Sequence, residues 1–211
     1  VDVWSHHYIQ THVDRTTKIT LERIVPVQEA FRQMGALVVH GPSPDCARKY
    51  PEWLEEEVDE LQRPEGDWPP ADFRGKGGEY AGFARPHTER TEEFDRIIRD
   101  RRIVPEAAPR GDDRVVANGE ALHRLLRRRG VLFLFYMGFA ANMCVPFRDY
   151  GMRAMKDRGY EVVLLEDCTT AIEVEDTADD LLLSQACKID AALTIGYTLQ
   201  SADLLAVCSE V

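Results

Sequence analysis

The chain has 211 residues, 44% of them hydrophobic and 30% charged, with a formal net charge of −11. That length suits one α/β domain (1–211) with a sizeable core, and the acidic balance argues against nucleic acid or an anionic membrane as a partner. No apolar stretch approaches the roughly 20 residues of a membrane span. The five scattered cysteines make no disulfide framework, which points to a reducing, cytoplasmic compartment. With no C-x-x-C pair and no H-E-x-x-H pattern, neither a metal nor another cofactor is expected.

Val1-Asp2-Val3-Trp4 reads as the end of a first strand whose beginning is cut away, followed by His6, His7 and His12 in a polar loop. Apolar residues between Ile19 and Met34 recur at helical spacing, and Gly35 ends that helix. Ala36 to His40 is a short buried strand, placing His40 at a strand's C-terminal end, where α/β proteins bind ligands. Pro51 to Leu61 reads as an acidic helix. Residues 62–90 are rich in Pro, Gly and aromatics, as expected of a lid or an interface segment. Glu92 to Arg102 is a further short helix, and Asp112 to Ala117 a third strand. Asn118-Gly119 reads as a tight turn before a helix at Glu120 to Arg129.

The stretch 131–170 is the most legible. Val131 to Met137 is an unbroken apolar run, suited to a strand buried on both faces of a parallel sheet. Gly138 ends it, and Pro146 sits where the first turn of a helix tolerates a missing N–H. Phe147, Tyr150, Gly151, Ala154 and Met155 follow at helical spacing. Gly159 closes that helix, and Val162 to Leu165 form the next strand. Thr177 to Lys188 then reads as a helix, Ala191 to Ile195 as a sixth strand and Ser201 to Leu205 as the start of a final helix. The alternation predicts a parallel α/β sheet with helices on both faces.

Cys144 lies in the turn between strand and helix. A thiol at a helix start faces outward-pointing N–H groups, which tend to lower its pKa and can stabilise an oxyanion. Taken alone, it is equally a small buried apolar residue.

G-F-A-A-N-M-C-V at 138–145 and G-Y-E-V-V-L-L-E-D-C at 159–168 resemble the isochorismatase-like cysteine hydrolases, which include nicotinamidases and N-carbamoylsarcosine amidase. The resemblance implies a three-layer sandwich around a six-stranded parallel sheet of order 3-2-1-4-5-6, with the site where strands 1 and 4 part. It implies Cys144 as nucleophile, Asp2 as proton acceptor and the N–H groups of Ala141 and Cys144 as oxyanion hole. A cis peptide is implied at Ala140-Ala141. The family's catalytic lysine is replaced by Asn118, with Glu120 a weaker candidate nearby. Trp4, His7, His40, Phe139 and Phe147 are candidates to line a pocket for a small-molecule substrate. A homodimer or homotetramer is implied. The function this suggests is hydrolysis of a small amide through a thioester. Two alternatives are a lysine-less binding protein and a vinyl-ether hydrolase that does not need the cysteine.

Overall fold

Helical and extended stretches alternate along the chain, and the computed structural model describes residues 1–54, 68–84 and 91–209. The first helical run comprises α1 (Gln10–Ile19), a π turn (Thr20–Ile24) and α2 (Val25–Gln33). Pro26 cannot donate to the preceding turn, and the wider π turn before it absorbs the missing bond. The run begins nine residues earlier than the apolar spacing from Ile19 predicts, so His12 sits in a helix and is buried, not in a loop. β1 (Val39–His40) and the short α3 (Pro44–Ala47) follow.

Residues 51–54 form a turn, and the remainder of the predicted acidic helix lies outside the described residues. Of the predicted lid, 68–84 is described: α4 (Ala71–Gly75) precedes a tight helical turn, and Phe73 packs on Tyr80 and Phe83. Next come α5 (Glu92–Asp100), β2 (Arg114–Val115), α6 (Gly119–Arg129), β3 (Phe133–Tyr136), α7 (Cys144–Phe147), α8 (Met152–Asp157) and β4 (Glu161–Leu165). α9 (Leu182–Asp190), β5 (Tyr197–Leu199) and α10 (Ser201–Cys208) complete the described chain. Ala191–Ile195 is not the predicted strand but a π turn that extends α9. Ala191 and Ile195 are buried with three exposed residues between them, which is the spacing of a helix face and not of a strand.

All described strand pairs are parallel. β1 pairs with β2, and β4 lies between β3 and β5. Side chains alternate along β4. Val162 and Leu164 enter a core with Leu122, Leu126 and Met155, whereas Leu165 packs on the other side with Ile24, Val27 and Phe139. Helices therefore cover both faces of the strands, which makes an α/β fold.

The stretch Val1–Val3 links the two sheets. Asp2 N–H donates to Gly41 O at 3.0 Å, the Val1 nitrogen to Met137 O at 2.7 Å, and Phe139 N–H to Val1 O at 2.9 Å. A cavity of about 430 Å³ is lined by residues near both sheets, among them Leu37, Val39, Phe133 and Phe135, with Asp2 and Tyr150 also on its wall. Cys144 is not among its lining residues. No helix among the described residues is long and apolar enough to cross a membrane.

Candidate active site

The turn after β3 is built by contacts that leave little freedom. Gly138 has φ +109°, a conformation L side chains rarely adopt, and a Cβ there would run into the Val1 carbonyl. Its N–H donates to Cys168 O at 2.9 Å. The Phe139-Ala140 peptide is cis, one residue earlier than the resemblance implies. Asn142 pins the turn to the loop after β4, with its amide donating to Ile172 O and accepting from Ile172 N–H, both at 3.0 Å. Cys144 then opens α7 with its N–H at a helix start, where no intrahelical acceptor exists.

Asp2 reaches this turn from the first residues of the chain. It is buried and sits at φ +46°, an uncommon conformation for a residue with a side chain. Its Oδ2 accepts from Arg148 Nε at 3.2 Å and Nη2 at 2.9 Å. Its Oδ1 is buried with no partner of ordinary hydrogen-bond geometry. Arg148 is four residues beyond Cys144, and the side chains of Asp2 and Arg148 are 1% and 28% exposed. The pair is thus shielded from water on the carboxylate side and open on the guanidinium side.

Burial pushes the Cys144 thiol up to about 11, helped by the charge of Asp2 and a hydrogen bond to it; Arg148 and the Ala140 backbone act in the opposite direction. The lowering expected from the helix start does not prevail. α7 has only four residues, too few for a strong dipole against a buried carboxylate. For Arg148, burial alone would lower the pKa, but the charge of Asp2, the charge of Tyr150 and the hydrogen bond to Asp2 together outweigh it and the net shift is upward. The resting site is therefore a neutral thiol beside an ion pair.

The sequence profile of the isochorismatase domain matches residues 8–186. The chain belongs to the isochorismatase family. A cysteine hydrolase from Pseudomonas syringae pv. phaseolicola 1448A has a similar fold, with TM-score 0.61 and 16% identity over 99% of this chain and 90% of that one. An isochorismatase from Pseudomonas putida KT2440 has TM-score 0.51 and 17% identity over 89% and 78%. Among curated protein sequences, none is significantly similar to this chain.

Within this isochorismatase-family hydrolase, the remaining sequence candidates divide sharply. Trp4, His7 and Phe139 do come together. The Trp4 ring lies under the Arg101 guanidinium at 3.7 Å, and His7 is 6.2 Å from Trp4 in a stacked arrangement. His7 meets His12 edge-on at 5.2 Å, and His12 meets Phe139 at 6.2 Å. This aromatic row ends at the residue that enters the cis peptide. His12 was not legible as a member, since its place in the row depends on α1 starting at Gln10. Burial, then His7 and Arg15, lowers His12 to about 4, so it is neutral near pH 7. Phe147 is 66% exposed, with the Arg153 guanidinium 5.6 Å from its ring. His6 pairs with Ser5 at the surface.

His40 is drawn into a buried polar network. Its Nε2 is 3.0 Å from Asp113 Oδ2, and Arg32 Nη2 donates to the same oxygen at 2.7 Å. This buried network ties α2 to β1 and β2 and engages Nε2 of the ring.

The oxyanion pair also needs revision. Ala141 N–H donates to Thr170 O at 3.0 Å, leaving the Cys144 N–H as the free member of the expected two. Asn118 is a helix cap. Its Oδ1 accepts from Ala121 N–H at 2.7 Å, while Gly119 N–H donates to Asp149 Oδ2 at 2.7 Å. Glu120 is tied to Arg124 and Arg158 at 3.0 and 3.1 Å. Asn118→Ala is accordingly expected to cost about 1 kcal/mol of stability, as lost caps do. Alkylation of Cys144 by iodoacetamide, followed by peptide mass spectrometry, is expected to be unchanged. A slowed Cys144 would give Asn118 a part in the chemistry instead.

Among the described residues, no group of three or more His, Cys, Asp and Glu side chains is arranged to hold a metal ion.

Proposed function

We propose that this chain is a cysteine-dependent hydrolase of small amide-like substrates, working through a thioester. The observation that carries this reading is the buried Asp2 carboxylate, whose charge acts on the Cys144 thiol and whose Oδ1 is held by no other residue. A carboxylate oxygen with no other partner is available to take a proton. In the first step the thiol proton moves to Asp2 Oδ1 as sulfur bonds to the substrate carbonyl carbon. The carbonyl oxygen becomes an oxyanion held by the Cys144 N–H. Collapse expels the amine, which takes the proton back from Asp2. Water then attacks the thioester, losing a proton to Asp2, and the thiol is regenerated with release of the acid. Because the thiol is held near pKa 11, this transfer belongs to the attack itself and not to a standing thiolate.

The fold supports the same reading. The order β2-β1, then Val1–Val3, then β3-β4-β5 would match the expected sheet of order 3-2-1-4-5-6 if Val1–Val3, which bonds to Gly41 and Met137, takes the place of strand 1. Asp2 and Cys144 would then leave adjacent strand ends at the point where the strand order reverses, the usual ligand crevice of such sheets. Trp4, His7 and, through His12, Phe139 belong to one aromatic row, which would suit a compact substrate.

The test is a panel of small primary and secondary amides, read by amine release and by mass spectrometry of the Cys144 peptide. The expected result is turnover with an acyl adduct on Cys144, both lost in Cys144→Ala. Turnover that survives Cys144→Ala would favour vinyl-ether hydrolysis. Ligand-induced thermal stabilisation without turnover of any amide would favour a binding role.

A further inference from the structure

We propose that Arg148 is the positioning residue that supplies the positive charge of this site, in place of the lysine absent at position 118. This rests on the cysteine-hydrolase reading above. No lysine stands within the geometry just described, and Asn118 spends its side-chain oxygen on Ala121. Arg148, by contrast, holds Asp2 Oδ2 with two of its N–H groups, at 3.2 and 2.9 Å. That grip has two consequences. It uses up Oδ2, so the oxygen left for the thiol is Oδ1. It also places a fixed charge beside the atoms over which the negative charge will move.

The charge movement can be followed atom by atom. Before attack, the negative charge is on the Asp2 carboxylate and sulfur carries a proton. As the S–H bond breaks and the O–H bond forms, the charge passes to sulfur and then to the substrate oxygen. The guanidinium faces one negative charge throughout, so no uncompensated anion is created in a buried place. A fixed cation near developing charge acts without reorganising, which is the main source of electrostatic stabilisation in enclosed sites.

The location follows from local structure. α7 ends at Phe147, and Arg148 turns into extended backbone with φ −61° and ψ 154°. Its side chain is placed back against the Asp2 carboxylate rather than along a continuing helix. Tyr150 supports the arrangement from below: its hydroxyl donates to Pro42 O at 2.9 Å, and its ring lies 6.0 Å from the guanidinium. Arg148 therefore comes from the same turn as the nucleophile, whereas a lysine at position 118 would come from the strand on the far side of Asp2.

The experiment compares Arg148→Gln and Arg148→Lys with the native protein. The readout is the rate of iodoacetamide alkylation of Cys144 between pH 7 and 10, with the other four cysteines as internal controls. Removing the cation is expected to slow Cys144 alkylation at pH 9 by about tenfold, the effect of one unit of thiol pKa. Arg148→Lys, which keeps the charge, is expected to stay within about threefold of native. A purely structural role would be lost in both variants, or would change the unfolding midpoint without touching the alkylation profile. The proposal is overturned if a folded Arg148→Gln alkylates at the native rate. Should Arg148→Gln not fold, a folded Arg148→Lys that alkylates tenfold slower overturns it equally. Asp2→Asn, run alongside, separates the two layers of argument. If Asp2→Asn shifts the Cys144 profile and Arg148→Gln does not, the cysteine-hydrolase reading stands and the role of Arg148 falls. If neither shifts it, both fall.

Discussion

Asp2→Asn is expected to slow amide turnover by about 10²- to 10⁴-fold, the usual contribution of a positioned general base. The same substitution is expected to make Cys144 easier to alkylate. The sign follows from what holds the thiol near 11: burial first, then the charge of Asp2 and its hydrogen bond, both of which favour the protonated form. Asparagine removes the charge and leaves Arg148, which favours the thiolate. The thiol pKa therefore falls, and alkylation at pH 9 rises by about tenfold for each unit of the fall. Opposite movements of the two rates distinguish a working base from a bystander. A structural carboxylate would instead show itself as a lowered urea midpoint, which a working base does not require. The measurement is turnover of the amide found in the panel, set beside the alkylation rate of the same preparation.

Gly138→Ala is expected to be the most damaging single methyl addition near the site. The φ of +109° is costly for any residue with a Cβ, and the added atom would meet the carbonyl of Val1. That carbonyl accepts the Phe139 N–H that joins the first residues to the turn after β3. Either the turn shifts or Val1 and Asp2 are pushed aside. Strain and overpacking together are expected to cost about 3 kcal/mol or more, read from the urea midpoint. Cys144 alkylation is expected to move toward the Asp2→Asn profile, since displacing Asp2 acts like removing it. Gly159→Ala provides the contrast. Its φ of +91° is also unfavourable, but nothing lies within 4 Å of the added methyl. Only the conformational part remains, about 1–2 kcal/mol, with alkylation unchanged.

The central unit was legible because its signals are local. An apolar run ending at Gly138, a proline in the first helical turn and a glycine closing the helix each act within a few residues of themselves. The resemblance added Cys144 and Asp2, which the folded chain brings together. Where sequence reading failed, a short apolar run was ambiguous or a partner was distant. Ala191–Ile195 has a strand's composition, and only its burial at every fourth residue made it a helical turn. His40 sits at a strand end, as expected, yet Asp113, 73 residues away, claims its ring. Ala141 lies in the expected turn, yet Thr170 takes its N–H.

Sequence alone therefore determined the family, the turn that carries Cys144 and the order of strand and helix through the second half of the chain. Tertiary structure decided which groups are free to act. It turned Asn118 into a cap, gave Asp2 a partner 146 residues away in Arg148 and raised the thiol that local reasoning lowered. The physical reason is one of range. Turns, caps and amphipathic spacing are set by neighbours in sequence, whereas desolvation and ion pairing depend on what the fold packs around a group.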